Sequence, residues 1–437
     1  MSKLREKLVI AVLVLVVFPM FMVRQAEAEK VLKIGSIVPL SQKTGIEMQR
    51  WLKLFAKIYN EQGGWLIGGE RYRVEYTAYD GGVGDAAKAR IATERAILQD
   101  GVKFLVCNWG DVDTQTITIT EPNKVLALGA GLNDATMEPS INYYIRANSV
   151  FFGRGLTYVI QKDYMKRGCK TDTIVDPDTE NGRYGTKLYR TSAKMAGLKV
   201  LPDIFFDAHT VDFSPIATKI KQSNSDMIEL PFVTGDQVTN LLAALKDAGW
   251  KGPLYAGNMD PVVLQNLVIR VGKEFLENLE TVFFDPRGIQ KDPGMLALMD
   301  RYTKEYGEFR TEGCMWIGAW FIFRDAVENT QSTDVEVLRK YLQNSKHGVR
   351  TLDGYSQLFA RPDKEKYRTV DVAPGHGVGI IKDGKLTALK TVSVKDQYLA
   401  TIRCMDMVDV YQKYWDKYGK PVFPNEPSVL DYEDLKR

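Results

Sequence analysis

Three histidines, His209, His347 and His376, stand singly in the 437-residue chain. Four cysteines, Cys107, Cys169, Cys314 and Cys404, include no CxxC pair, so no zinc-ligand spacing is present. A GxSxG elbow and an HExxH helix are both missing. No GxxxxGK[ST] loop occurs, and IGSIVPLSQ stands where a dinucleotide loop would follow the first strand. Gly375, Gly377 and Gly379 have the spacing of a glycine loop but run into GIIKDGK, and a turn is expected there. Nucleophile, metal and phosphate chemistry therefore have no carrier, and no cofactor is expected. What remains is non-covalent binding.

The residues suited to binding collect at the ends of expected strands. In open parallel sheets a ligand lies beyond the carboxyl ends of the strands, where loops feed helix N-termini. That rule gathers Ser41–Thr44, Asp80, Trp109–Asp113, Gly129–Leu132, Asp178–Tyr184, Phe232–Gly235 and Asn258–Asp260. Trp109 offers either a flat apolar wall or a core ring at a lobe edge. Gly110 would let backbone N–H groups approach a ligand. Asp111, Asp113 and Asp260 can serve as helix caps or as ligand groups. Tyr184 can equally be packing.

The elements that must position these tips alternate along the chain. VLKIGSIVPL reads as a buried strand. In the stretch that follows, Met48, Trp51, Leu52, Phe55, Ile58 and Tyr59 recur at helical spacing. Glu47, Arg50, Lys53, Lys57 and Glu61 fall mostly on the opposite side. RYRVEYTAYD, FLVCNW and VLALGAG are further strands. Asp85 caps a helix through Gln99, and a short helix from Thr114 stops at Pro122. The order β-α-β-α predicts a mainly parallel sheet covered by helices on both faces. The pattern restarts near residue 147. Helices are expected over 151–167, 184–196 and 213–222, with strands at TDTIVDPD, LKVLPDIFF, DMIELPFV and GPLYAGN. A helix over 293–306 and two more follow. Lys382–Lys385 between apolar runs predicts a hairpin, and Tyr411, Tyr414, Trp415 and Tyr418 mark an aromatic tail that packs on a lobe.

The N-terminus has a different character. Lys3, Arg5 and Lys7 precede the apolar run 8–18, and Ala26-Glu27-Ala28 has the small-x-small form of a peptidase site. This is the pattern of a secretory signal cleaved after Ala28. The uncharged stretch 8–23 is shorter than the roughly 18–20 residues that spanning a bilayer requires. An oxidising compartment would permit one or two disulfides among the four cysteines. Lys and Arg total 58 against 55 Asp and Glu, and no basic block suggests nucleic acid. The length favours two domains.

KIGSIVPLSQKTG, YTAYDGGVGDAAKARIATERAILQDGVKFLV, DTQ at 113–115, DTENGRYGTKL, VDFSPIATKIKQSNSDMIELPFVTGD and LLAALKDAGWKGPLYAG occur in that order over residues 31–390. Together they resemble the leucine/isoleucine/valine type of periplasmic substrate-binding protein that serves ABC transporters. The resemblance implies an α/β fold of two Rossmann-like lobes joined by a three-crossing hinge. One lobe would hold residues 29–146 and 284–350, the other 147–283 and 351–437. A ligand α-carboxylate would be held by Trp109 to Thr114 and by Ala130, Gly131 and Leu132. Asp111 stands where a hydroxyl is usual, and Leu132 where a threonine is usual. Tyr184 matches the family's second-lobe tyrosine, and Asp260 is the available partner for an ammonium group. The family's disulfide has no counterpart beside Asp80, where Gly81-Gly82-Val83 stand.

The ligand-binding set expected is Thr44, Trp109, Gly110, Asp111, Ala130, Gly131, Leu132, Tyr184, Phe232 and Asp260. The resemblance implies a monomeric periplasmic receptor that passes a small molecule to the permease subunits of the inner membrane. A ligand sensor on the same frame is the alternative, as is a secreted α/β enzyme. The ligand is an amino acid, a neutral amide, a cationic compound or an aromatic acid seated on Trp109.

Overall fold

The computed structural model describes residues 30–131, 136, 138, 140–147, 150–233, 235–257, 259, 261–283, 286–309, 313–314, 316–345, 347–352, 354–359, 371–372, 377–404, 407–428 and 430–436. The signal segment 1–28, Leu132, Asp260 and His376 lie outside the described residues.

The chain opens with β1 (Lys30–Val38), α1 (Lys43–Glu61), β2 (Trp65–Ile67), β3 (Glu70–Asp80), α2 (Ala86–Glu94), β4 (Phe104–Asn108), α3 (Asp113–Asn123), β5 (Leu126–Gly129) and β6 (Tyr144–Arg146). These strands form one sheet in the order β2-β3-β1-β4-β5-β6. All its pairings are parallel except the β2–β3 hairpin. Every residue of β4 is buried, as a parallel strand covered on both faces requires. Asp85 caps α2 by accepting from Lys88 N at 2.9 Å. Pro122, expected to stop α3, sits inside its last turn, and the helix runs on to Asn123.

The second set begins with α4 (Val150–Lys166), β7 (Thr171–Pro177), α5 (Glu180–Ala196), β8 (Lys199–Val200), β9 (Ile204–Phe206) and α6 (Ser214–Gln222). It continues through β10 (Met227–Leu230), α7 (Gly235–Asp247), β11 (Leu254–Ala256), α8 (Pro261–Val271) and β12 (Glu280–Phe283). LKVLPDIFF is two strands, not one. Pro202 has no N–H to give, and the pieces on either side pair separately with β7. The helix α5 starts four residues before the expected position, because the Thr179 hydroxyl caps it by accepting from Gly182 N at 3.0 Å.

Beyond β12 come α9 (Pro293–Tyr306), α10 (Gly318–Thr330) and α11 (Val335–Asn344). All three return to the core of the first sheet through Met299, Tyr302, Trp320, Phe321, Leu338 and Leu342. Phe55 of α1 stacks on Trp320 at 5.0 Å, and Trp51 on Tyr302 at 4.1 Å. Glu47 belongs to this interior and not to the polar face. It is buried, it accepts from Tyr302 Oη, and it pairs with Arg50 at 2.8 Å. A short antiparallel sheet follows, built from β13 (Gly348–Thr351), β14 (Gly354–Phe359) and β15 (Asp371–Val372). Then β16 (Gly377–Lys382) and β17 (Lys385–Thr391) join the second sheet, whose order is β17-β16-β12-β11-β10-β7-β8. The hairpin between them is the one the sequence predicts. Gly377 and Gly379, expected in a turn, are strand residues paired with Phe283 and Thr281. Finally α12 (Val394–Cys404) packs on α4, and α13 (Val408–Tyr418) closes over Tyr398 and Phe359.

The chain thus folds as two α/β lobes. It leaves the first sheet after residue 146, returns after 283 and rejoins the second sheet by 377. Cys107 and Cys169 are buried free thiols. Among the described residues no helix is long and apolar enough to cross a membrane.

The centre of the second lobe holds several carboxyls. Burial, followed by the charge of Asp203, pushes Asp172 up to about 8. Burial likewise raises Asp176 and Glu229 well above the usual carboxylate range. Free carboxyls in an unfolded chain titrate near pH 4. The folded state therefore holds protons that the unfolded chain releases. The resulting stabilisation is complete below about pH 4 and is lost as pH rises towards 8. Thermal unfolding followed by far-UV circular dichroism should show a Tm that falls between pH 5 and 8. Asp172→Asn should raise Tm at pH 8 by about 2–4 °C and flatten that fall. A Tm that climbs over this window contradicts the assignment.

Candidate functional site

Parallel strands place their carboxyl ends on one edge, and the first lobe's edge is built from β1, β4 and β5. The tip of β4 is bent. Cys107 has φ +61, and the β4–β5 register shifts between Val106 and Asn108. The bend turns the Asn108 side chain onto β1, where its Oδ1 accepts from Ile37 N at 3.0 Å. Trp109 N then donates to Ile37 O at 2.9 Å. The indole is fixed at the edge, half-buried, touching the cores on both faces of the sheet. Gly110–Val112 form a 3₁₀ turn that leads into α3.

After β5 the chain runs through Gly129, Ala130 and Gly131. Gly131 N donates to Tyr144 Oη at 3.0 Å, and that hydroxyl donates to Asp113 Oδ2 at 2.6 Å. Arg146 Nη1 donates to Gly131 O at 3.3 Å. Asp113 is fully buried and acts inside this network instead of at the solvent-facing start of a helix. A Cβ on Gly129 would overlap both Asp113 carboxylate oxygens. Gly110 also proves to be a packing glycine. A Cβ there would lie 2.5 Å from Ala130 O and 3.2 Å from Asn181 Nδ2 of the second lobe. Thr44, in the first turn of α1, is buried at the same edge. Asp80 is a structural anchor: its Oδ1 accepts from Leu40 N and Gly82 N, both at 3.1 Å. Burial opposes its charge, but Lys88 and those two N–H groups hold its carboxyl below the usual range.

The facing side comes from β7, β10 and α5. Phe232 follows β10, and its N donates to Asp176 Oδ1 at 2.9 Å. Its ring packs against Gly185, where a Cβ would overlap it, and meets Tyr189 edge-on at 5.9 Å. Tyr184 lies in the second turn of α5, half-buried beside the same cluster. The two lobes meet where Thr114 Oγ1 of α3 donates to Glu180 Oε1 of α5 at 3.2 Å. Asp178 is exposed and paired with Arg183, which lowers its carboxyl.

Sequence reasoning missed Trp316. It precedes α10 in a run, CMWIGAWFIF, that reads as one apolar helix, yet the helix begins only at Gly318. Cys314 and Ile317 on either side are buried, and Trp316 N donates to Gly313 O at 3.2 Å. The ring is left half-buried, 4.7 Å from Trp109 at 50°. It packs against the cores of both lobes. The glycines at 313 and 318 were the available signal. Of the expected set, Thr44, Trp109, Gly110, Ala130 and Gly131 share one edge, and Tyr184 and Phe232 share the other. Asp111 belongs to the 3₁₀ turn. Among the described residues no group of three His, Cys, Asp or Glu could hold a metal ion.

Gly129→Ala should cost about 1–3 kcal/mol by driving a methyl into the Asp113 carboxylate. Denaturant unfolding measures this, and an unchanged midpoint contradicts the network described.

Comparison with known proteins follows the same outline. The model of a family described as periplasmic binding protein matches residues 31–374. The Leu/Ile/Val-binding protein homolog 8 of Brucella abortus (strain 2308) is 24% identical over 318 residues, covering 67% of this chain and 75% of the relative. The leucine-binding protein LivK of Thermotoga maritima superposes with a TM-score of 0.64 at 18% identity, covering 83% of this chain and 98% of that one. A solute-binding protein of R. palustris in complex with benzoate gives 0.67 at 17% identity, covering 83% and 96%. LivJ of Streptococcus pneumoniae in complex with isoleucine gives 0.66 at 17% identity, covering 83% and 99%.

Proposed function

The chain belongs to the periplasmic binding protein family, and on that premise we propose that it is the solute receptor of an ABC importer. It captures a small amino-acid-like or related organic molecule between its lobes and delivers it to permease subunits in the inner membrane. The observation that carries this reading is the convergence of strand ends from both sheets on half-buried Trp109, Trp316, Tyr184 and Phe232.

Thr44, Trp109, Gly110, Asp111, Ala130 and Gly131 make up the first-lobe side of the proposed site, and Tyr184 and Phe232 the second. Leu132 and Asp260 are assigned to it on sequence alone. Gly110 contributes by letting the lobes approach, since Asn181 lies against it. Binding is by shape and hydrogen bonding, with no covalent step. The solute stabilises the closed arrangement because only there do both walls contact it. Residues 1–28 direct export to the periplasm and are removed after Ala28, and the mature receptor works as a monomer. The relatives support a solute of this size class: one is named for leucine, isoleucine and valine, and two of the solved structures hold isoleucine and benzoate.

Native mass spectrometry of the purified protein should reveal a co-purifying solute, and calorimetric titration with it should give one site per chain. Trp109→Ala should weaken that binding at least tenfold while the far-UV spectrum at the assay temperature stays as in the parent. An unaltered affinity would place the site elsewhere.

A further inference from the structure

We infer that the solute carries a planar aromatic ring and that Trp316 is the residue selecting it. The inference rests on the receptor reading above and adds the class of ligand.

Trp316 is the ring that packs on the interiors of both lobes. Its place is imposed by its neighbours. Gly313 lies so close to Glu47 of α1 that a Cβ would approach to 2.9 Å, and Cys314 and Ile317 are buried. The turn is thereby held in place, and its large side chain lies against Trp109. The two indoles pack 4.7 Å apart at 50°, and each keeps part of its surface exposed. Phe232 and Tyr184 add two half-buried rings from the opposite wall. Aromatic faces of this kind gain about 0.5–1.5 kcal/mol per pair beyond simple area burial when another ring stacks on them. An aliphatic side chain recovers the area term alone. Four partly uncovered rings at one gap, drawn from the end of β4, the turn before α10, the end of β10 and α5, therefore favour a flat π-system over a branched alkyl group.

Calorimetry on the full mature chain, freed of any co-purified solute, tests this with matched pairs: benzoate against cyclohexanecarboxylate, and 2-phenylethylamine against 2-cyclohexylethylamine, with leucine as a further probe. In at least one pair the aromatic member should bind ten times more tightly than its saturated twin. Trp316→Ala should erase that preference, whereas Trp316→Phe should keep affinity within about threefold, both variants keeping the parent's far-UV spectrum at the assay temperature. Equal binding of twins, failure of every ring compound to bind, or Trp316→Ala binding as the parent does overturns the inference. Tight leucine binding that is indifferent to Trp316 overturns it while leaving the receptor reading intact. A chain that carries no solute from the cell and binds none removes both.

Discussion

Cys107 stands in the left-handed region at the tip of β4. A side chain other than glycine there costs roughly 1–2 kcal/mol, and the surroundings make good that cost. The thiol is buried and accepts a hydrogen bond from the Trp320 backbone, and burial pushes its titration upwards. The bend re-aims the next two residues. Asn108 becomes a clasp on the β1 residue Ile37, and Trp109 N donates to the carbonyl of that same residue. The edge of the first lobe is thereby a fixed surface rather than a loose loop.

The second lobe solves the same problem by a different residue. Asp176, buried on β7, accepts from Phe232 N at the tip of β10 and from the Thr186 hydroxyl of α5 at 2.7 Å. In each lobe a buried polar side chain on one strand holds the backbone of a neighbouring strand's tip, and an aromatic ring follows. Rings held half-exposed forgo about 25 cal/mol for each Å² of apolar surface left wet. In the proposed receptor, a solute covering them would recover this and so favour the closed arrangement. Tyr144 and Asp113 set the remaining loop, so three clasps fix the strand tips.

Much of this was legible in the order of the residues. The fully apolar FLVC run, the helical stripe of Met48, Trp51, Leu52 and Phe55, and the Asp85 cap each obey a local rule that tertiary packing did not override. The strand-end rule gathered the edge residues because parallel sheets leave little choice of where loops go. What failed had non-local causes. Glu47 read as a surface residue because nothing nearby in sequence announces Tyr302, 255 positions away. Gly110 read as room for a ligand, whereas its partners, Ala130 O and Asn181, come from other segments. The start of α5 is the local exception, since its cap is the Thr179 hydroxyl three residues before Gly182. Trp316 was hidden inside an apolar run whose first part is a turn. Its partner Trp109 is 207 positions earlier, beyond the reach of any periodicity.

The central claim is that two pre-shaped walls close on a solute. Spin labels at Thr118→Cys on α3 and Lys187→Cys on α5, both exposed positions, would measure it by pulsed dipolar spectroscopy. Saturation with the solute recovered from the purified protein should shift the distance distribution to shorter values and narrow it. An identical distribution with and without bound solute would contradict the account.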